Sequence, residues 1–139
     1  MKSGEVSHAA WPRPGQPVRA SCHCGAVVLE VRLSAPLSEA RRCDCSFCRR
    51  RGAIMASAAL DGVRILQGAD RLTLYSFNTR TAQHWFCSVC GIYTHHRRRS
   101  NPKEYGINVG TLEGVNPRDL GEVGWWDGVN HPSDRTGAG

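Results

Sequence analysis

The chain has 139 residues, of which 40% are hydrophobic and 22% are charged, a composition typical of one globular domain. Its longest apolar stretches are interrupted by Gly, Asp or Arg, so none approaches the length of a membrane span and a membrane partner is excluded. The formal net charge of +6 favours small anionic ligands slightly and does not by itself indicate nucleic acid.

The two ends of the chain differ in composition from its middle. Residues 1–18 contain Pro, Gly and Ser but no apolar core of the kind that a secretory signal needs, so they predict a flexible arm and a cytoplasmic protein. Residues 128–139 are rich in Gly, Pro, Ser and Asp and predict a flexible tail. One structured domain is therefore predicted over residues 19–127.

The first cysteine pair stands directly before a segment with strand periodicity. Cys22 and Cys24 are separated by one residue and followed by Gly25. In residues 26–33 the apolar side chains alternate with polar ones and fall on one face: Val27, Leu29, Val31 and Leu33. This alternation predicts a strand that is buried on one side.

The second cysteine group is a C-x-C-x-x-C cluster formed by Cys43, Cys45 and Cys48. Three thiolates within six residues can wrap one face of a zinc ion and leave the fourth position open, the arrangement of a catalytic zinc. Residues 46–51 predict a helical turn whose amide end would favour thiolates. Five arginines flank the cluster and could grip the carboxylates of a ligand or form a solvated face: Arg41, Arg42, Arg49, Arg50 and Arg51.

The rest of the chain predicts short strands separated by turns. The candidate strands are residues 53–60, 63–66, 72–77, 83–86, 92–96 and 105–109. One further helical turn is predicted over residues 116–120. With so little helix, the sequence predicts a mainly β domain built of small antiparallel sheets.

The third cysteine group is Cys87-x-x-Cys90 followed by Gly91. Two intervening residues let both thiols face one ion, and the glycine tolerates the tight turn. A redox-active pair of this spacing would need an adjacent helix in a βαβ pattern, which the sequence lacks. We therefore predict a structural zinc held by Cys22, Cys24, Cys87 and Cys90.

All seven cysteines belong to these three groups, and an odd number in a reducing compartment is not explained by disulfides. The prediction is two zinc ions per chain, with Cys43, Cys45 and Cys48 holding the second. A structural alternative is that His84, His95 or His96 completes this second site.

Two further segments have alternative interpretations. The run from His95 to Arg99 predicts a charged strand end or a phosphate-binding patch. Trp125 and Trp126 predict packing against a sheet or a stacking platform.

The order of these motifs resembles the glutathione-dependent formaldehyde-activating enzyme family. The likeness is carried by residues 21–27, 43–48 and 86–91, and it extends over roughly residues 19–112. Residues 75–79, 82–84 and 99–102 are similar to the centromere protein V branch of the same superfamily. The resemblance implies a β-tent fold of small antiparallel sheets. It also implies one zinc on the first and last cysteine pairs, and a second zinc on the middle trio that is associated with glutathione binding and activity.

The activity that the resemblance implies is condensation of formaldehyde with glutathione to S-(hydroxymethyl)glutathione, a carbon–sulfur lyase reaction run backwards. The leading hypothesis is a zinc-dependent enzyme of this type, with Cys43, Cys45 and Cys48 acting through the second zinc on glutathione or a similar thiol and a small carbonyl compound. The alternative is a non-enzymatic zinc-binding β-module for a protein or nucleic-acid partner. Nucleic acid is disfavoured because the basic residues lack the aromatic interleaving of a stacking surface.

Overall fold

A computed structural model describes residues 11–77, 82–98, 101 and 103–129. Within these ranges the chain forms ten short strands and one α-helical turn. They are β1 (Pro17–Ser21), β2 (Val28–Arg32), β3 (Arg41–Cys43), α1 (Cys48–Arg51), β4 (Met55–Ala59), β5 (Val63–Gln67), β6 (Leu72–Tyr75), β7 (Gln83–Cys87), β8 (Tyr93–Arg97), β9 (Glu104–Asn108) and β10 (Gly124–Trp126). No helix in this part of the chain is long and apolar enough to cross a membrane.

The strands form two sheets. One has the order β1-β2-β5, and the other has the order β10-β3-β4-β9-β8-β7-β6. Neighbouring strands are antiparallel except for β10, which runs parallel to β3. The sheets meet where Ala20 of β1 forms a bridge with Leu112, just after β9. The mainly β fold with small antiparallel sheets is therefore confirmed.

Most strands lie where the sequence predicts them, but three were not predicted. β1 begins inside the segment assigned to the arm, because Pro17 and Val18 pair with Arg32 and Val31 of β2. β3 and β10 have three residues each and pair with one another although they lie far apart in the sequence. Such short segments carry too little alternation to be recognised without their partners. The turn predicted over 116–120 is present as a 3-10 turn, Pro117–Leu120.

The alternating residues around β2 form the centre of the core. Val27, Leu29, Val31 and Leu33 are no more than 2% exposed, as the alternation predicts. They pack with the apolar side chains of β9 and the segment after it, including Ile107 and Leu112. Burial of this apolar face is the main favourable contribution to folding.

The middle of the larger sheet buries polar groups that the sequence analysis placed on a charged strand end. β8 lies between β7 and β9, and His95, His96 and Arg98 are at most 8% exposed. The His96 ring lies directly over Gly106 of β9, where a Cβ would collide with it. The run does form a strand end, since β8 ends at Arg97, but the central position of β8 makes the histidines and Arg98 buried packing groups; Arg99 lies outside the described residues.

Candidate metal centres and the adjoining pocket

The first cysteine group joins the two sheets. Cys22 and Cys24 lie in the turn between β1 and β2, Cys87 is the last residue of β7, and Cys90 lies in the turn between β7 and β8. Their sulfur atoms all lie within 4.8 Å of one another; the Sγ atoms of Cys24 and Cys87 are 3.7 Å apart. Four thiols at this separation form a donor set that could hold a tetrahedral zinc.

Backbone amides in this group point at the sulfurs. The N–H of Val27 donates to Cys22 Sγ at 3.3 Å, and the N–H of Ala26 donates to Cys24 Sγ at 3.5 Å. The backbone N–H of Cys24, followed by that of Ile92, lowers the pKa of Cys90 to about 6. Because a metal binds thiolates and not thiols, these hydrogen bonds favour the form that a metal needs.

The second cysteine group lies where β3 passes into α1. The sulfur atoms of Cys43, Cys45 and Cys48 lie within 4.8 Å of one another and could hold a metal ion. Hydrogen bonds from the thiols of Cys43 and Cys48 hold the pKa of Cys45 far below its usual range, with help from the N–H of Cys48, which lies 3.2 Å from Cys45 Sγ. The first thiolate of the trio therefore forms at Cys45.

One wall of the trio comes from the opposite end of the chain. Gly128, which the sequence analysis assigned to the tail, is buried, and its N–H donates to Asp44 Oδ1 at 2.8 Å. A Cβ at this position would lie 2.6 Å from both Cys43 Sγ and Cys45 Cβ. The glycine therefore permits a close approach of the backbone to the thiols. No local pattern in the sequence reveals this contact.

Arg51 is the arginine that contacts the thiols. Its Nη2 donates to Cys48 Sγ at 3.4 Å, and its Nη1 is hydrogen-bonded to His84 Nδ1 at 3.1 Å. Its guanidinium carbon also lies 3.7 Å from the centroid of the Tyr93 ring and 4.7 Å from that of Phe47. One side chain thus connects the trio with the aromatic residues of β7 and β8.

The other four arginines of the predicted cluster point elsewhere. Arg42 donates to the carbonyl of Gly52 at 2.6 Å, and Arg50 donates to the carbonyl of Ser46 at 2.5 Å. Arg41 and Arg49 are exposed. Of the five arginines predicted around the cysteines, Arg51 is therefore the one that contacts a cysteine sulfur in the part of the chain that the structure describes.

The three histidines proposed as alternative fourth ligands do not join the sulfurs of the trio. His84 is bound to Arg51 through Nδ1. The Nδ1 of His96 is hydrogen-bonded to the Tyr93 hydroxyl at 2.6 Å, and the Nδ1 of His95 is hydrogen-bonded to the Thr94 hydroxyl at 2.8 Å. Within the described residues, the trio remains a group of three.

A pocket of about 190 Å³ lies beside Phe47 and Arg51, and none of the three cysteines lines it. Apart from Arg51, the residues that line it are all aromatic: Phe47, Tyr75, His84, Trp85, Phe86 and Tyr93. The ring centroids of Phe47 and Tyr75 are 5.4 Å apart, and those of Phe47 and His84 are 4.4 Å apart. Phe47 immediately precedes Cys48, so pocket and trio share a wall. No local pattern in the sequence predicts this pocket, because the register of β6 and β7 brings its residues together.

The two tryptophans of β10 have different environments. Trp126 is half-buried beside Met55 and Cys48, and the guanidinium carbon of Arg98 lies 4.5 Å from its ring centroid. Trp125 is 57% exposed. Trp126 therefore packs against the sheet, which is the first of the two arrangements predicted for these tryptophans.

Comparison with known proteins identifies similar chains. A profile of the family described as glutathione-dependent formaldehyde-activating enzyme matches residues 17–123, which confirms the resemblance carried by the cysteine motifs. Among solved structures, a crystal structure of a protein from Rhodobacter sphaeroides has a TM-score of 0.77 and 68% sequence identity. The match covers 78% of this chain and 99% of that chain.

Proposed function

The chain belongs to the glutathione-dependent formaldehyde-activating enzyme family, and on this premise we propose that it is a zinc-dependent enzyme of the carbon–sulfur lyase type. It adds glutathione, or a similar thiol, to formaldehyde or another small carbonyl compound. The observation that carries the proposal is the group of three thiols beside a pocket, with no histidine among the ligand atoms.

The two cysteine groups have different roles in this proposal. Cys22, Cys24, Cys87 and Cys90 hold a structural zinc, because four thiols fill a tetrahedral site. Cys43, Cys45 and Cys48 would hold a second zinc, and a set of three thiolates would let an external thiol bind there as well. When bound there, zinc supplies a Lewis acid that favours the thiolate form of an incoming thiol.

Arg51 compensates the charge at the second site. Three thiolates around one divalent ion leave a net negative charge, which repels a further anionic sulfur. The Arg51 guanidinium stands 3.4 Å from Cys48 Sγ and offsets this repulsion by roughly 1–4 kcal/mol, depending on the local dielectric. Its position is fixed by the hydrogen bond to His84 and by the rings of Phe47 and Tyr93.

The addition itself is balanced without any oxidant or reductant. The thiol sulfur forms a bond to the carbonyl carbon, the π electrons of the C=O bond move to oxygen, and the thiol proton ends on that oxygen. The aromatic walls next to the trio exclude water from one side of the reacting carbon. Cleavage of the product is the same sequence in reverse.

The non-enzymatic alternative has less support. A purely structural second site would be expected to have a fourth ligand from the protein, and His84, His95 and His96 all have other partners. A pocket that shares a wall with the thiols has no role in such a module. The geometry therefore favours the enzyme.

The test is glutathione binding by the zinc-loaded protein, measured by calorimetry at several salt concentrations. We expect salt-sensitive binding that Arg51→Gln weakens about tenfold, because one compensating charge is lost. Arg49→Gln is the matched control, since Arg49 lies on the same helical turn but is exposed, and it should leave binding unchanged. Absence of binding at millimolar glutathione would contradict the enzyme and support the module.

A further inference from the structure

We propose that the aromatic pocket is the subsite for the second substrate, and that it takes the six-membered aromatic ring of an aldehyde whose carbonyl carbon receives the thiol. The inference rests on the proposed function, because it assumes thiol addition at the trio. It goes further by naming the class of carbonyl compound: a benzaldehyde-sized aromatic aldehyde in place of formaldehyde.

The size of the pocket is the first argument. Its volume is about 190 Å³, whereas an engineered protein cavity of roughly 150 Å³ accommodates benzene. Formaldehyde has only two heavy atoms, and a single water molecule occupies about 30 Å³ of liquid. Formaldehyde would therefore leave most of the pocket unfilled, while one aromatic ring fills it.

The chemistry of the walls is the second argument. Apart from Arg51 the lining residues are all aromatic, and the rings of Phe47, Tyr75 and His84 are within 4.4 to 5.4 Å of a neighbouring ring in this set. Aromatic rings attract one another at centroid distances of 4.5–7 Å in offset or edge-to-face geometry. A bound aromatic ring would extend this existing cluster.

The same walls are unsuitable for glutathione. Its two carboxylates and its ammonium group are costly to bury against aromatic rings unless each finds a partner. Arg51 is the one cation among the lining residues; its two terminal nitrogens bond to His84 Nδ1 and Cys48 Sγ, and its buried Nε has no hydrogen-bond partner. One cation cannot pair with two carboxylates, and no acidic side chain lines the pocket to pair with the ammonium group, so the walls suit the uncharged aldehyde better.

The position of the pocket is the third argument. Phe47 is adjacent to Cys48 in the chain, and Arg51 touches both the Tyr93 ring at 3.7 Å and Cys48 Sγ at 3.4 Å. A ring bound in the pocket would therefore share Arg51 as a neighbour with Cys48. In the reaction, the C–S bond forms, the carbonyl π electrons move to oxygen and the thiol proton follows, giving the aromatic hemithioacetal.

The experiment compares aldehydes and wall variants on the zinc-loaded full chain. Rates above the uncatalysed background are measured with glutathione and either benzaldehyde or formaldehyde. We expect a kcat/KM for benzaldehyde at least tenfold above that for formaldehyde. Tyr75→Ala should lower the benzaldehyde value about tenfold, because it removes one ring contact, and should lower the formaldehyde value much less, because formaldehyde has no ring.

Leu74→Ala is the matched control. Leu74 and Tyr75 are adjacent in β6 and similarly exposed, at 43% and 46%, but Leu74 does not line the pocket. The variant should change neither rate. A second readout uses benzyl alcohol, which cannot react: its binding, followed by saturation-transfer NMR, should be lost in Tyr75→Ala and retained in Leu74→Ala.

The outcomes separate the inference from the proposed function. Catalysis with formaldehyde but not with benzaldehyde, and no binding of benzyl alcohol, would overturn the aromatic subsite and leave the thiol addition standing. Tyr75-dependent binding of benzyl alcohol without catalysis on either aldehyde would support the ring subsite and overturn the proposed reaction. Equal losses in Tyr75→Ala and Leu74→Ala would overturn the subsite.

Discussion

Two buried side chains of the larger sheet region, Arg98 and His95, differ in whether a positive charge on them is compensated. Arg98 is 8% exposed, yet its charge is compensated, because it pairs with Glu104, donates to Ser57 Oγ at 2.9 Å and lies against the Trp126 ring. His95 is buried between the rings of Trp85 and Tyr105 and has no such counterion among the contacts described. Burial therefore favours its neutral form.

The first prediction concerns stability in mild acid. Burial lowers the pKa of His95 to about 4, while the unfolded chain keeps a histidine pKa of about 6.5. The unfolded state thus binds more protons between these values, so His95 costs stability as pH falls from about 6.5 towards 4. From pH 7 to pH 5 the loss is about 2 kcal/mol.

Urea unfolding of the wild type and of His95→Phe at both pH values measures this loss. The phenylalanine keeps the ring contacts but cannot be protonated, and the metal centres affect both proteins equally. The wild type should lose about 2 kcal/mol more than the variant between pH 7 and pH 5. Equal losses would show that His95 is protonated in the folded protein.

The second prediction concerns Gly128. In Gly128→Ala the new Cβ would lie 2.6 Å from Cys43 Sγ, so the segment after β10 must move away from the trio. We expect a destabilisation of about 1–3 kcal/mol and weaker zinc binding at the trio, measured by competition with a chromophoric chelator. Gly110→Ala is the control, because its nearest contact is a side-chain oxygen at 3.3 Å, and zinc affinity unchanged in both variants would refute the contact.

At the scale of elements, the two cysteine groups hold together different parts of the fold. The turn before β2 belongs to the three-stranded sheet, and the turn after β7 belongs to the seven-stranded sheet. The first group therefore links the sheets across a loop of more than 60 residues. The trio is local to the junction of β3 and α1, at one side of the larger sheet.

The third prediction follows from this difference. Cys87→Ser should unfold or aggregate the protein, because structural zinc binding contributes an apparent ~10 kcal/mol or more to the folding of small zinc domains. Cys45→Ser should keep most of the fold but lose glutathione binding. Thermal melting by circular dichroism, together with calorimetry, checks both variants. If both melted alike, the trio would have to be reclassified as structural.

At the scale of the whole molecule, the proposed metals would add stability to a domain that has little helix. The described part of the chain has ten short strands and one α-helical turn. Many contacts are therefore between residues distant in sequence, which are entropically costly to bring together. Two metal-bound cysteine groups would hold the ends of such loops together and so offset part of this entropic cost.

The fourth prediction is the metal content. Protein purified without chelator should contain close to two zinc ions per chain by elemental analysis, because the seven thiols form one group of four and one of three. Cys45→Ser serves as the internal standard and should contain close to one. A ratio near one in the wild type would mean that the trio does not retain its metal, and a ratio of zero would refute both sites.

The sequence by itself determined the features that depend on local spacing. The alternation of Val27 to Leu33 predicts the central buried strand, and the Cys-x-x-Cys and Cys-x-Cys spacings predict which thiols are close neighbours. These patterns work because the side-chain period of a strand and the reach of two nearby thiols are set within a few residues. The motif order also predicts the family, which the match over residues 17–123 confirms.

Only the tertiary structure decided which distant residues surround the trio. Arg51 was one of five equivalent arginines in the sequence; its contact with Cys48 is local to α1, but its contact with His84 depends on how α1 packs against β7. The aromatic pocket depends on the register of β6 and β7, and the approach of Gly128 depends on the parallel pairing of β10 with β3. Strand pairing is chosen by the total burial of both sheets, so no local pattern contains it.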